Sequence, residues 1–136
     1  MVPQNIDKKM KKIIMIMLLF LTVAYSCNAE DKWYKTAWFS CRTINEDWTD
    51  WSPLEVSVKY HIPTKGTPTI TIFTRQRQCY SVLKCVSTQK VDGITTSILY
   101  CRDSFKGNCR IHLRKGIDFY HIYVEYSDAM LAYQLK

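Results

Sequence analysis

In the stretch PLEVSVKYHI the apolar residues Leu54, Val56, Val58, Tyr60 and Ile62 alternate with Glu55, Ser57, Lys59 and His61. A period of two places the first set on one face of an extended strand and the second on the other, so this segment predicts a half-buried β-strand. The following TPTITIFTRQRQ continues the pattern with Ile70 and Ile72 in a threonine-rich context that suits a pleated surface. Further strands are expected over 33–41, 79–88, 94–101, 109–114, 119–126 and 130–135, and no run after Trp33 keeps a helical period. The connections are short. Asp92-Gly93 matches a two-residue type I′ hairpin, which needs positive φ at both central positions. Lys65-Gly66, Lys106-Gly107-Asn108, Lys115-Gly116 and Ser127-Asp128 punctuate the remaining strands. About eight strands joined almost wholly by hairpins predict an all-β antiparallel meander, which loses its unpaired edges by closing into a small barrel. A β-sandwich is the alternative, although its crossings call for longer connections.

The N-terminal pattern is different. Lys8, Lys9, Lys11 and Lys12 precede IIMIMLLFLTVAYS, and no acidic residue falls between Lys8 and Asn28. A basic stretch followed by a short apolar run is the arrangement of a secretion signal. The apolar run from 13 to 24 is shorter than the roughly 20 residues a spanning helix needs, so it predicts a removed segment rather than a lasting anchor. Translation starts at Met1 or at Met10. The expected organisation is a signal segment over 1–26, a tether over 27–32 and one all-β domain over 33–136.

Two cleavage points are compatible with the small residues present. Ala24 and Ser26 permit a cut before Cys27, and Cys27 and Ala29 permit one before Glu30. The stretch LTVAYSCNAED resembles the lipobox region of Bacteroidota lipoproteins at Ser26, Cys27, Glu30 and Asp31, and departs from a strict lipobox at Ala24 and Tyr25. That resemblance implies lipidation of Cys27 and a membrane partner through the lipid, with the protein in the bacterial outer envelope. The alternative is a soluble extracellular protein. The C-terminal CRDSFKGNCRIHLRKGIDFYHIYVEYSDAMLAYQL is also similar to the ends of small exported Bacteroidota proteins, and no activity comes with that similarity.

Export changes the meaning of the cysteines. Cys41, Cys79, Cys85, Cys101 and Cys109 fall in the domain, an odd number that allows two disulfides and one free thiol in an oxidising compartment. The expected bridge is Cys101 to Cys109 across a hairpin, with Cys79 to Cys85 as its rival and Cys41 left unpaired. The absence of any C-x-x-C and of matched histidine pairs predicts no metal site. Four of the 19 basic and one of the 12 acidic residues precede Ile13, which lowers the formal balance from +7 to +4 for the rest. The remaining cations alternate singly with apolar residues instead of clustering, so no nucleic-acid partner is expected.

Two local motifs remain. DWTDWSP and TRQRQC carry Trp48, Trp51, Arg75 and Arg77, which resemble the W-x-x-W and R-x-R-x-C elements of thrombospondin type 1 repeats, where arginines intercalate between indoles. WTDWS also resembles the WSxWS box of type I cytokine receptors. Those resemblances imply a secreted adhesion or decoy module, but neither the cysteine pair nor the preceding domain that these families require is present. The four residues are the expected binding surface for a protein or small-molecule ligand, with both tryptophans packed in or beside the barrel opening near the arginines. His61, His112 and His121, with Lys and Arg nearby, could compose a ribonuclease-like acid/base pair, but their alternating strand positions favour surface or rim histidines, and there is no G-x-S-x-G, phosphate-binding glycine loop or carboxylate cluster. The expectation is a small exported, envelope-anchored domain with a binding or structural role, not an enzyme, and without a cofactor.

Overall fold

The structure, a computed structural model, describes residues 29–136, so the signal segment and Cys27 lie outside the described residues. The chain from Glu30 onward is all-β and contains no helix. The strands are β1 (Glu30–Thr43), β2 (Ser52–Pro53), β3 (Ser57–Ile62), β4 (Thr69–Ile72), β5 (Gln78–Val91), β6 (Ile94–Asp103), β7 (Gly107–Lys115), β8 (Tyr120–Glu125) and β9 (Ala129–Leu135). Each of β3 to β9 pairs antiparallel with the next, and β1 pairs with both β3 and β9. The sheet therefore closes into an eight-stranded barrel. β2 lies outside this ring and pairs only with Trp38 and Phe39 of β1.

Closure depends on β1 serving two neighbours. Its first half, 30–35, takes β3, and its second half, 36–43, takes β9. An irregularity between Thr36 and Trp38 shifts the register at the change-over, as a β-bulge does when it turns a strand. Thr36, fully buried, repairs the backbone there. Its hydroxyl donates to the Leu54 carbonyl and accepts from the Val56 amide at 2.9 Å, in the segment where β3 has left the ladder.

The inward phases of β3 to β9 supply the buried core. Val58, Tyr60 and Ile62 come from β3, Ile70 and Ile72 from β4, Tyr80 and Val82 from β5, and Leu99 and Cys101 from β6. Cys109 and Ile111, Ile122 and Val124, and Tyr133 and Leu135 complete it from β7, β8 and β9. Each fully buried aliphatic side chain contributes about 1.5–3 kcal/mol. The Asp92-Gly93 turn has φ of 52° and 78°, which is the predicted type I′ geometry.

Two expectations are corrected. Glu30, Asp31 and Lys32, expected in a tether, are paired residues of β1 opposite Ile62, His61 and Tyr60. The expected Cys101–Cys109 disulfide is not formed, and all five described cysteines are free thiols. The register does set Cys101 opposite Cys109, but both sulfurs serve as packing atoms of the barrel core. Burial pushes the Cys101 thiol up to about 12 and the Cys109 thiol up to about 11, so both stay protonated. Cys79 and Cys85, in one continuous strand, are not bridged either.

The barrel has two unlike ends. At the upper mouth lie the β4–β5 loop (73–77), the β6–β7 hairpin (104–106), the β8–β9 turn (127–128) and the end of β1. At the lower end lie the start of β1, the β3–β4 loop (63–68), the β5–β6 turn (92–93) and the β7–β8 loop (116–119).

Candidate functional site

A connected group of polar side chains inside the barrel lies under the upper mouth. Gln78 opens β5 and Asp103 ends β6, in the same phases as Tyr80 and Cys101, so the sheet directs both inward. Asp103 is buried, with 7% of its surface exposed. Its Oδ2 accepts from the Tyr126 hydroxyl at 2.6 Å and its Oδ1 from the Phe105 amide at 2.9 Å. The Tyr80 hydroxyl lies 2.8 Å from that of Tyr126 and 3.0 Å from Gln78 Oε1. Since Tyr126 gives its proton to Asp103, its oxygen and Gln78 Oε1 compete for the single Tyr80 proton. Tyr133 donates to the same Gln78 oxygen at 3.1 Å. Buried polar groups need partners, and this network supplies one for every oxygen in it.

The network keeps the phenols neutral. Burial raises the pKa of Tyr80, Tyr126 and Tyr133 above the ordinary value, and the Tyr80–Tyr126 hydrogen bond raises Tyr80 further. The Asp103 carboxylate beside Tyr126 acts in the same direction, since a phenolate there would face a second negative charge.

Above this floor is a cleft of about 410 Å³, within the size range of small-molecule sites. Arg75, Arg77 and Lys106 stand around it, and Phe105, Tyr126 and Leu131 give it an apolar wall. The Arg77 guanidinium stacks 5.0 Å from the Phe73 ring centroid, and Lys106 Nζ lies 4.9 Å from that of Tyr126. Among the described residues, the ion pairs join Lys35 and Lys136 to Glu55, His61 to Asp31, and His112 to Glu125. Arg75, Arg77 and Lys106 take part in none of them. Asp103, the one acid among the described residues that line the cleft, accepts from Tyr126 and Phe105. Gln78, whose Oε1 is taken by two phenols, also lines the cleft. A second hollow of about 440 Å³ shares Tyr126 and Ala129 with the first, but holds the four acids Glu46, Asp47, Glu125 and Asp128 against the one cation Arg42. The mouth is thus divided into a basic and an acidic half.

The tryptophans are elsewhere. Trp48 lies edge-on to Tyr123 at 6.2 Å and under the Arg42 guanidinium at 5.5 Å, and Trp51 faces His121 at 6.1 Å. Tyr123 and His121 belong to the outward phase of β8, opposite Ala132 and Gln134 of β9. The 44–53 segment therefore folds back over the outer wall as a strap. It is pinned by Ser40, whose hydroxyl donates to the Thr49 carbonyl at 2.6 Å, and by the Cys41 amide, which donates to Thr49 Oγ1 at 3.1 Å. Ser40 and Ala132, small outward residues in register, are buried beneath it. Trp48 and Trp51 keep 38% and 41% exposure.

The expected union of Trp48 and Trp51 with Arg75 and Arg77 is therefore not made, because the strap carries the indoles down the wall while the arginines stay on the β4–β5 loop. Of the expected surface, only the arginines line the mouth. Gln78, Asp103, Lys106 and Tyr126 were not expected there. An acid at the inward position of ITTSILYCRD, where the other inward residues from Leu99 are apolar, was the available signal for Asp103. Among the described residues, no group of three or more His, Cys, Asp and Glu side chains is placed to hold a metal ion. No protein-family model, curated protein or solved structure matches this chain.

Proposed function

We propose that this protein is a small exported binding module, tethered to the cell envelope by lipid on Cys27, that takes its ligand at the upper mouth of the barrel. The observation that carries this reading is the cleft itself. Three cations that form no ion pair among the described residues stand over a floor whose polar atoms are already satisfied. A rigid floor supports recognition because its hydrogen bonds hold the wall residues in place before a ligand arrives. Asp103 belongs to that floor, where both its oxygens accept hydrogen bonds from the protein.

Amide chemical-shift mapping with a library of soluble small molecules tests the mouth. Binders are expected to move the resonances of 73–78, 103–107 and 126–131. A set of binders that moves only amides of the lower end or the outer wall would refute the assignment. Labelling expressing cells with a palmitate analogue tests the tether, with incorporation expected in the wild type and lost in Cys27→Ala. A mature N-terminus at Glu30 would show that no lipid is attached.

A further inference from the structure

Building on the reading of the mouth as the binding region, we propose that its ligand is a monoanionic or dianionic amphiphile, with a carboxylate or phosphate head and a short apolar body. The head is placed by Arg75 and Arg77, two residues apart on one loop of five residues between β4 and β5. A guanidinium offers paired N–H donors that match the spacing of carboxylate or phosphate oxygens. Arg77 is oriented by its stacking on Phe73, and Arg75 enters none of the ion pairs among the described residues. Lys106, held over the Tyr126 ring, adds a third positive charge from the opposite hairpin.

The apolar body is placed by the wall. Phe105 is an exposed aromatic, at 69%, on the hairpin beside Lys106, and Leu131 and Ala129 of β9 face it across the cleft. An exposed Phe at the rim of a concave site is an apolar surface open to a ligand. Between head and body, Gln78 and the Tyr126 ring offer polar and aromatic contact.

The acidic half of the mouth settles the sign of the ligand in this position. Glu46, Asp47, Glu125 and Asp128 lie on the other side of Tyr126 and outnumber Arg42 in that hollow, so the basic half is the more favourable place for an anionic head. Asp103 lines the same cleft, but its two oxygens are turned to the Tyr126 hydroxyl and the Phe105 amide, and the three cations Arg75, Arg77 and Lys106 outnumber it.

The test is an amide-shift titration of the protein purified from expressing cells, with octyl phosphate, octyl glucoside, inorganic phosphate and phosphatidic-acid vesicles as probes. Octyl phosphate is expected to move the mouth amides, and Arg75→Gln with Arg77→Gln to weaken it by about tenfold or more. Lys65→Gln, on the loop at the lower end, removes the same kind of charge and is expected to change the affinity less than about twofold. An equal loss in Lys65→Gln would reduce the effect to general attraction and overturn the proposal. So would octyl glucoside binding as tightly as octyl phosphate with no effect of the arginine changes, although the mouth would then stand as a binding region. Inorganic phosphate binding as well as octyl phosphate would remove the apolar body from the proposal. Vesicle binding without any response to monomeric octyl phosphate would replace a single amphiphile by a membrane surface. Silence of the mouth amides to every probe would overturn both this proposal and the reading on which it rests.

Discussion

Each end of the barrel is filled by three tyrosines, and the two sets are built on different principles. Under the upper mouth, Tyr80, Tyr126 and Tyr133 are joined through hydroxyls to Gln78 and Asp103. Toward the lower end, Tyr34 and Tyr120 meet ring edge to ring face at 5.5 Å and 74°, with Tyr60 beside them in the core. The carboxylates of the two ends differ in the same way. Both oxygens of Asp103 accept hydrogen bonds, while Glu30 Oε2 is buried with no hydrogen-bond partner among the described residues. The upper set is fixed by directional bonds and can hold a precise surface. The lower set is a packing solution, tolerant of small adjustments. A binding module needs the first kind of construction under its site and only the second elsewhere.

The comparison breaks most visibly at Tyr80, which is fully buried and belongs both to the core and to the network. Replacing it with Ala leaves a ring-sized cavity and removes a donor, and is expected to cost about 3–5 kcal/mol. Tyr34→Ala, at a half-buried site, is expected to cost roughly 1–2 kcal/mol by area lost from the core. Urea midpoints of the two variants measure the difference, and equal losses would mean that the two ends are equivalent.

The carboxylates give a second, smaller contrast. Asn at position 103 presents one oxygen where Asp presents two, so either the Tyr126 hydroxyl or the Phe105 amide meets an NH2 group instead of an acceptor. Asp103→Asn is expected to lose about 1–3 kcal/mol, the penalty for a buried donor left without a partner. Glu30→Gln removes a charge that no hydrogen bond compensates at Oε2 and is expected to stay within about 0.5 kcal/mol of the wild type, or to gain. A larger loss at Glu30 than at Asp103 would reverse the assignment of which end is organised by polar bonds.

How much of this could be read along the chain depends on distance. The strands were legible because alternation is a local property. Val58, Tyr60 and Ile62 announce their face within a few residues, and Asp92-Gly93 announces its turn in two. The end of the tether was misplaced because Asp31 and Lys32 look solvated by composition, and only pairing with His61 and Tyr60, about 30 positions away, makes them strand. The arginines of the mouth were legible as a spacing. Their partners were not, since Gln78, Asp103 and Tyr126 come from three strands and meet only when the barrel closes. The tryptophans misled for the opposite reason. Their spacing suggested a ladder with arginines, and nothing local records that the strap turns away from the mouth after Thr43. Cys101 and Cys109 were correctly placed opposite one another, yet register alone does not decide whether two buried sulfurs bond or simply pack.

Both ends respond to base in the same direction, by different routes. Burial raises Tyr60 and Tyr120 at the lower end and Tyr80 and Tyr126 at the upper end, and pushes Tyr133 up to about 12. In the unfolded chain these phenols ionise near 10. A folded value above the unfolded one means that stability is fully present below about pH 10 and is lost as pH rises through the folded values. Near-ultraviolet absorbance is expected to show these phenolates appearing only with unfolding. Tyr126→Phe removes one such phenol together with its hydrogen bond to Asp103, so it is expected to lower stability at neutral pH and to flatten the alkaline loss. An unchanged alkaline slope would show that Tyr126 already titrates in the folded protein.

The smallest effect belongs to neither end but to the strap that leaves the upper mouth. His121 is packed among Trp51, Phe119 and Tyr123, with its Nδ1 3.2 Å from the Tyr123 hydroxyl and Gln134 beside it in register. Its pKa is lowered, first by burial and then by the positive charge of Arg114. A histidine whose folded pKa lies below its unfolded value binds fewer protons when folded, so stability is full above the unfolded pKa near 6.5 and declines as pH falls toward and through the folded value. The ring remains substantially in contact with water, which screens the charge, and the loss is expected to be a few tenths of a kcal/mol. His121→Gln keeps a polar, hydrogen-bonding side chain without the titration. The wild type is expected to lose stability relative to this variant between about pH 7.5 and about pH 5.5. In addition, the fluorescence of Trp51 is expected to change in the wild type alone over that range. Parallel stability curves for the two proteins would place His121 in solvent rather than under the strap.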